Sequence, residues 1–436
     1  MINLKYFGTD GIRGIVNEDL TTELLNKIGK AISVLKIKKI YIGYDTRESK
    51  YLMLYSLVSG LLSKGIDVID SGLVSTPAMQ YFSFKNKETV LMITASHNPY
   101  YYNGIKIFID GYKLDKKEEE KIEYYIDNIN DDNESGIGQY YKNNDIMDTY
   151  LSFLKTIKEP SKYKIKLDLA NGALIDIANN LFEGDPNIQI INNNANGINI
   201  NDNCGSLYIE NIDLDEYDYL FSFDGDGDRV LFKDKYRVYD GELIVYLLAK
   251  YYINKNKKID KVVLTKNVNL GLLKAFKKLR VNVLLSDIGD KNVYDLMIKE
   301  NCLIGGEASG HIINLEYMIS GDGLLNYILL SKILNEINMD EYLKNIEYYP
   351  FVNIDLDNDY SFEYLEEIQK KYQKKARINI RKSGTEKKIR VNICSKKEIY
   401  IENIVKEIKE YEKFKNWITC NLYNIRWSRI WRKCCD

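Results

Sequence analysis

Val90-Leu91-Met92-Ile93-Thr94-Ala95-Ser96-His97-Asn98-Pro99, followed closely by Asn103-Gly104-Ile105-Lys106, reads as an apolar strand running into a loop of reactive side chains. Pro99 has no N–H to give a ladder, so pairing stops by that point. Ser96 is thereby left at a strand's carboxyl end, where open α/β sheets hold their ligands. A hydroxyl, an imidazole and an ammonium group fall close together there. The competing reading is a loop whose Ser and Asn only satisfy their own backbone. Working outward, Lys39-Ile40-Tyr41-Ile42-Gly43-Tyr44 reads as a strand that delivers Asp45-Thr46-Arg47 to a loop, residues 52–62 as a helix, and Val68-Ile69-Asp70 as a further strand. Strands alternating with helices predict βαβ units and a largely parallel sheet.

The chain has 436 residues, too many for one hydrophobic core, which predicts three or four units. Its 61 basic and 63 acidic residues nearly cancel. No global field draws it to nucleic acid or a membrane surface, so any anion must be held by a local site. Six cysteines without a C-x-x-C pair read as a reduced, cytoplasmic set rather than a disulfide frame. The first residues lack an apolar core of signal-peptide length, and no later run approaches a membrane span.

Further along, Lys116-Lys117-Glu118-Glu119-Glu120-Lys121 reads as the solvated face of a helix, Asp131-Asp132-Asn133-Glu134-Ser135-Gly136 as a polar loop, and residues 145–157 as a helix. Pro160 precedes a new strand over 164–169, where a second unit begins. Lys261-Val262-Val263-Leu264-Thr265 repeats the pattern of the Lys39 strand, which suggests related units. After Pro350, strands over 351–356, 377–380 and 388–393 flank a helix over 361–371 and predict a small α+β domain.

Beside the Ser96 loop, three stretches carry chemistry, and a glycine-rich N-terminal segment precedes them. Phe7-Gly8-Thr9-Asp10-Gly11-Ile12-Arg13-Gly14 is glycine-dense and offers Arg13 to a phosphate. Asp224-Gly225-Asp226-Gly227-Asp228-Arg229 follows the apolar run 219–223. Carboxylates at alternate positions of an extended strand lie roughly 6 to 7 Å apart per step, too far to share an ion. The glycines between them let the chain curl until all three reach one centre, and hard oxygen ligands suit Mg²⁺ or a similar cation. An EF-hand loop would need Gly where Arg229 stands and Glu where Lys235 stands. Gly305-Gly306-Glu307-Ala308-Ser309-Gly310-His311 sets a carboxylate, a hydroxyl and an imidazole at alternate positions, a pattern that suits sugar hydroxyls. His97 and His311 are the chain's two histidines, one in each cluster. Arg381-Lys382-Ser383-Gly384-Thr385-Glu386, with Arg390 beyond, offers N–H groups around a glycine, hydroxyls and guanidinium forks to a phosphate.

Together and in this order, the stretches resemble the α-D-phosphohexomutases, most closely the phosphoglucosamine mutases among them. The likeness runs from Tyr6 to about residue 410 and takes in Asp168-Leu169-Ala170-Asn171-Gly172, Asn196-Gly197-Ile198-Asn199 and Ser320-Gly321-Asp322-Gly323. It implies an α/β fold of four domains around a central cleft: three related α/β domains with mixed, mostly parallel sheets and a smaller C-terminal α+β domain. The expected bounds are 1–153, 154–250, 251–348 and 349–416, with an atypical tail at 417–436. The resemblance makes Ser96 a phosphorylated nucleophile. It makes Asp224, Asp226 and Asp228 the ligands of Mg²⁺ together with an oxygen on Ser96. Arg13, His97, Lys106 and His311 would line the reacting centre. Glu307, Ser309 and Arg229 would meet the sugar phosphate, and Arg381, Ser383, Gly384, Thr385 and Arg390 its distal phosphate.

The implied activity interconverts glucosamine 6-phosphate and glucosamine 1-phosphate through a glucosamine 1,6-bisphosphate, feeding amino-sugar and cell-wall precursor synthesis. The enzyme would be a cytoplasmic monomer or homodimer. The rival readings are a phosphomannomutase/phosphoglucomutase and a Mg²⁺-dependent sugar phosphatase. Two departures stand out: Lys387 occupies a place where the family commonly has Pro, and residues 417–436, with all three tryptophans and three of the six cysteines, match nothing expected of it.

Overall fold

The computed structural model describes residues 4–8, 10–129, 136–344, 346–382 and 388–411. The expectations for the polar loop 131–135, for Ser383, Gly384, Thr385 and Lys387, and for the tail lie outside the described residues. Two compact units emerge, one of residues 1–265 with 279–344, the other of residues 266–278 with 345–436.

In the first unit the chain runs β1 (Phe7–Gly8), β2 (Gly11–Ile15), α1 (Thr22–Ala31), β3 (Lys39–Tyr44), α2 (Lys50–Ser63), β4 (Asp67–Leu73), α3 (Thr76–Asn86), β5 (Thr89–Ile93), β6 (Tyr102–Ile109), β7 (Tyr112–Lys113), α4 (Lys116–Asp127), β8 (Tyr140–Lys142) and α5 (Asp145–Ile157). The strands form one sheet in the order β1-β2-β6-β5-β3-β4-β8, with β7 beside β6. Helix starts obey local chemistry. Thr21 and Ser75 cap α1 and α3, and Asp115 with Glu118 forms a reciprocal capping box at α4. Leu25, Ile28, Leu54, Leu57 and Leu61 of α1 and α2 bury their apolar face against Ile40, Ile42, Leu91 and Ile93 of the sheet.

A second sheet, β10-β9-β11-β12-β13, is built from β9 (Ile165–Asp168), β10 (Ile188–Ile191), β11 (Tyr219–Phe223), β12 (Val230–Lys233) and β13 (Val238–Tyr239), with α6 (Ile175–Phe182) between β9 and β10. After α7 (Gly241–Asn254) a third sheet, β15-β14-β16-β17, uses β14 (Lys261–Thr265), β15 (Asn282–Ser286), β16 (Ile304–Gly306) and β17 (Ile312–Asn314). Here α8 (Leu270–Lys278) and α9 (Asp290–Glu300) make the connections, and α10 (Gly323–Glu336) and α11 (Met339–Leu343) follow.

The three sheets share one plan. A central strand (β3, β9, β14) lies parallel to the next strand in sequence (β4, β10, β15) on one side and to the one after (β5, β11, β16) on the other. A hairpin then adds an antiparallel strand (β6, β12, β17) beyond the latter. The repeat suggested by the Lys39 and Lys261 strands therefore marks the central strand of two sheets. The pairing is more mixed than the sequence reading expects. Parallel order holds around the central strands, while in the first sheet β1, β2, β6 and β7 all pair antiparallel. Hairpin reversals need only a short turn, and no periodicity in the apolar pattern announces them.

The second unit contains an antiparallel sheet, β18-β20-β19, of β18 (Phe351–Asp357), β19 (Arg377–Lys382) and β20 (Lys388–Cys394). Against it lie α12 (Phe362–Tyr372) and a helix over 398–411, whose Leu365, Ile368 and Ile404 share a core with Ile389 and Val391. Residue Asn269, just before α8, is tied to Tyr349 through both its amide groups, at 2.8 and 3.0 Å.

Candidate active site

Each of the three related sheets places one chemical motif in the same connection, the hairpin turn between its last parallel strand and the antiparallel strand that follows. Ser96 sits between β5 and β6, the three aspartates between β11 and β12, and Glu307, Ser309 and His311 between β16 and β17. The turns meet. Gly225 lies so close to the Ser96 carbonyl that a Cβ added there would stand 2.6 Å from the oxygen. Arg229 forms an isolated antiparallel bridge with His311, and the Val230 N–H donates to the Gly310 carbonyl at 3.1 Å.

The Ser96 hydroxyl donates to Asp224 Oδ2 at 2.6 Å, and His97 Nδ1 lies 3.5 Å from the same Oγ. Ser96 is 1 % exposed and has φ +51°. That left-handed conformation costs a non-glycine residue roughly 1–2 kcal/mol and is sustained by its surroundings. Its N–H donates to Thr94 Oγ1 at 2.9 Å, and its carbonyl accepts from Arg47 and from Asn201 Nδ2, each at 2.9 Å.

The aspartate turn curls as the alternating glycines predict. One oxygen from each of Asp224, Asp226 and Asp228 lies within 4.8 Å of the others, and all three residues are buried. Gly227 takes φ +78°, and its N–H closes the turn onto the Asp224 carbonyl at 3.1 Å. Outer contacts hold the curl. Thr76 donates its N–H to the Asp226 carbonyl at 3.0 Å and its hydroxyl to Asp226 Oδ2 at 2.7 Å, while Ala173 and Gly323 donate to the carbonyls of Gly225 and Gly227.

The donor set fits a divalent cation. Three carboxylates share one buried point, and Asp226 Oδ1 and Asp228 Oδ1 are buried without a hydrogen-bond partner among the described residues. Burial, then the neighbouring Asp228 and Asp226, push the Asp224 carboxyl well above the usual aspartate range. Burial presses Asp228 the same way, but Lys106, His311 and Arg229 outweigh it and hold that carboxyl below its ordinary value.

Cations surround the triad. Lys106, 3 % exposed, reaches Asp226 Oδ2 at 2.8 Å, Asp10 at 3.1 Å and Asp228 Oδ2 at 3.5 Å. Burial disfavours its charge, yet the three carboxylates keep it an ammonium well past neutrality. Arg229 Nε stands 3.9 Å from Asp224 and 3.7 Å from Asp228. Arg13 pairs with Asp10. Among the described residues the Nε groups of Arg13 and Arg229 are buried with no hydrogen-bond partner, as donors facing an anion would be. The nearby Arg229, then burial and Arg13, push the His97 imidazole down to about 2, so that ring is neutral.

His311 is fixed from both sides. Gly321 donates its N–H to Nε2 at 3.0 Å, which leaves the ring proton on Nδ1, 3.7 Å from Asp228 Oδ2. Burial lowers the affinity of this ring for a proton, but Asp228 more than offsets it. Glu307 accepts from the Gly289 N–H at 2.8 Å, just ahead of α9, and Ser309 is half-buried in the same turn.

In the second unit, Arg381 of β19 stands directly opposite Arg390 of β20, on one face of the sheet, and Arg390 Nε lies 3.7 Å from Asp355. The sequence reading thus names residues that the fold gathers in two places: Ser96, His97, Lys106, Arg13, the three aspartates, Arg229, Glu307, Ser309 and His311 in the first unit, and Arg381 with Arg390 in the second.

Other participants escaped that reading. Asp10 is a hub that accepts from Arg13, Lys106 and Lys113, and Lys113 bridges onward to Asp290 at the start of α9. Asp10 and Asp290 are single charged residues far apart in sequence, with no local pattern to join them. Asp45 and Arg47 are fully buried beside the Ser96 turn; their signal was an Asp-Thr-Arg at a strand's carboxyl end.

A family model for the α/β/α domain I of phosphoglucomutase/phosphomannomutase matches residues 4–133, and one for domain III matches residues 240–349. Among curated proteins, the phosphoglucosamine mutase of Dictyoglomus turgidum is 40% identical over 93% of this chain and 97% of its own length. That of Bacillus subtilis is 35% identical over 93% and 98%. Among solved structures, a phosphoglucomutase/phosphomannomutase family protein of Burkholderia thailandensis shares the fold, with a TM-score of 0.79 at 19% identity, covering 94% of this chain and 97% of that one. So does the Aspergillus fumigatus N-acetylphosphoglucosamine mutase in complex with GlcNAc-6P and magnesium, with a TM-score of 0.65 at 16% identity over 93% and 95%.

Proposed function

The chain belongs to the phosphoglucosamine mutase family of the α-D-phosphohexomutases, and from that premise we propose that it interconverts glucosamine 6-phosphate and glucosamine 1-phosphate, with Ser96 as the phosphoryl carrier. The observation that carries this reading is the Ser96 Oγ set 2.6 Å from Asp224 within a buried aspartate triad.

Phosphate-monoester cleavage is among the slowest uncatalysed reactions, so the protein must meet the charge on the moving group. Phospho-Ser96 gives its phosphoryl group to a sugar hydroxyl. The 1,6-bisphosphate turns end for end, and its other phosphate returns to Ser96. Lys106, Arg13 and Arg229 face that transfer as fixed cations. Lys106 is tied to three carboxylates and acts through its charge. His97 and His311 would line the same centre as charge stabilisers or proton carriers. Mg²⁺, held by Asp224, Asp226 and Asp228 with an oxygen on Ser96, would neutralise charge on the transferring group. Glu307 and Ser309 would read the sugar hydroxyls. Arg381, Ser383, Gly384, Thr385 and Arg390 would grip the distal phosphate.

Each sheet is read as the core of one domain, with bounds at 1–153, 154–250, 251–348 and 349–416. Among the described residues no helix is long and apolar enough to cross a membrane. We place the enzyme in the cytoplasm.

The test compares turnover of glucosamine, glucose and mannose phosphates, with the mass of Ser96 measured before and after the bisphosphate is added. Glucosamine phosphate should turn over fastest, with phosphate on Ser96, and Ser96→Ala should be inactive. Equal or better rates on mannose phosphate would reassign the branch. Steady release of inorganic phosphate with no need for bisphosphate would instead favour a phosphatase.

A further inference from the structure

We propose that Thr94, Asp45 and Arg47 are positioning residues for the Ser96 hydroxyl, closed into a ring of hydrogen bonds that passes through Ser96's own backbone. The ring runs from the Ser96 N–H to Thr94 Oγ1 at 2.9 Å, and from the Thr94 hydroxyl to Asp45 Oδ2 at 2.7 Å. Arg47 Nε donates to the same Asp45 oxygen at 2.9 Å, and Arg47 Nη2 donates to the Ser96 carbonyl at 2.9 Å. Both polar groups of the Ser96 backbone are therefore fixed by one circuit. Asp45, Arg47 and Thr94 are all 0 % exposed.

The sheet explains why the circuit closes. Tyr44 and Ile93 end the neighbouring parallel strands β3 and β5 in register, and the Asp45 N–H donates to the Ile93 carbonyl at 3.1 Å. Asp45 and Thr94 thus leave the sheet at the same level. Arg47 then reaches across the turn, donating also to the carbonyls of Asn98 at 2.9 Å, Tyr102 at 3.0 Å and Pro99. A single guanidinium satisfies four carbonyls of one turn, which its planar fork allows and a lysine does not.

None of the three touches Ser96 Oγ or the aspartate triad among the contacts above, so their part is orientation rather than chemistry. The inference rests on the reading of Ser96 as phosphoryl carrier. A carrier must present its oxygen at the same point in both half-reactions, to a sugar that arrives in two orientations. A displacement near 1 Å costs on the order of 10²-fold in rate.

The experiment uses the full-length, Mg²⁺-loaded enzyme. Thr94→Val keeps the shape and removes the ring's hydroxyl; Thr94→Ser restores it. Thr94→Val should lower kcat on the order of 10²-fold while KM for the sugar phosphate stays within about twofold. The ³¹P resonance of phosphorylated Ser96, expected as a single line in the parent, should broaden or split, and Thr94→Ser should recover both properties. Arg47→Lys provides a second break in the ring, with the same kcat and ³¹P signature expected. Parental kcat and an unchanged ³¹P line in Thr94→Val would overturn the proposal, as would a loss that Thr94→Ser shares in full. Ser96→Ala separates the two layers. If it is inactive while Thr94→Val behaves as the parent, only the ring fails; if it turns over like the parent, the carrier reading fails.

Discussion

At the scale of single residues, the centre is a crowd of charges whose geometry decides which group can do what. Lys106 is surrounded by carboxylates and His97 by cations, so the ammonium stays charged and the imidazole stays neutral across the physiological range. A steric requirement that joins two of the turns falls on Gly225, where an added Cβ would stand 2.6 Å from the Ser96 carbonyl and 2.8 Å from Asn201 Nδ2. Gly225→Ala must push the serine turn off the aspartate turn. We expect it to destabilise the protein by about 1–3 kcal/mol, and to cut kcat more than KM. A denaturation curve and a Michaelis profile check both, and a parental kcat would show that the turns tolerate separation. Much at this scale was legible in the sequence because reactive residues and glycines cluster locally: Ser96-His97, the Asp-Gly repeats, and the Glu307 to His311 turn. Asp10, Lys113, Asp290 and Arg47 were not legible as a site. Each draws its role from partners brought in by the tertiary fold.

At the scale of elements, the capping of α10 shows how the aspartate turn is braced. Asp322 caps the helix through the Leu325 N–H at 2.9 Å and takes both its oxygens to the Tyr150 hydroxyl at 2.8 Å, while the next N–H, that of Gly323, holds the Gly227 carbonyl. Burial pushes the Asp322 carboxyl up to about 6, against the pull of those hydrogen bonds. The native state therefore keeps a proton that the unfolded chain, with an aspartate value of about 3.9, has already released. Stability is fully present below about pH 4 and falls as pH rises through 6, by up to about 3 kcal/mol from this group. Asp322→Asn should remove that part of the pH dependence. Denaturant unfolding of both proteins at several pH values between 4 and 7, with chelator present, checks it. Parallel profiles would contradict the assignment. The strands themselves were legible from their apolar runs and polar exits. Their pairing was not, because reversal at β5–β6, β11–β12 and β16–β17 depends on turns whose residues are there for chemistry.

At the scale of the whole molecule, near-neutral charge and ordinary hydrophobic content leave function to local sites. The aspartate turn, as the proposed ion site, is one place where such a site should register globally. A cation that binds only the folded triad stabilises it by about 2.7 kcal/mol at a concentration one hundred times its dissociation constant. Raising Mg²⁺ should lift the thermal midpoint, chelator should reverse the rise, and Asp226→Asn should abolish the response. An equal rise in the variant would place the ion elsewhere. The three sheets that build this unit follow one strand order, and on the proposed reading each delegates a different task to the same hairpin: carrier, ion, and recognition. Such a layout behaves like a chassis with interchangeable heads. Exchanging the 307–311 turn for that of a relative with another sugar preference would retune selectivity while the phosphoryl relay keeps its wiring.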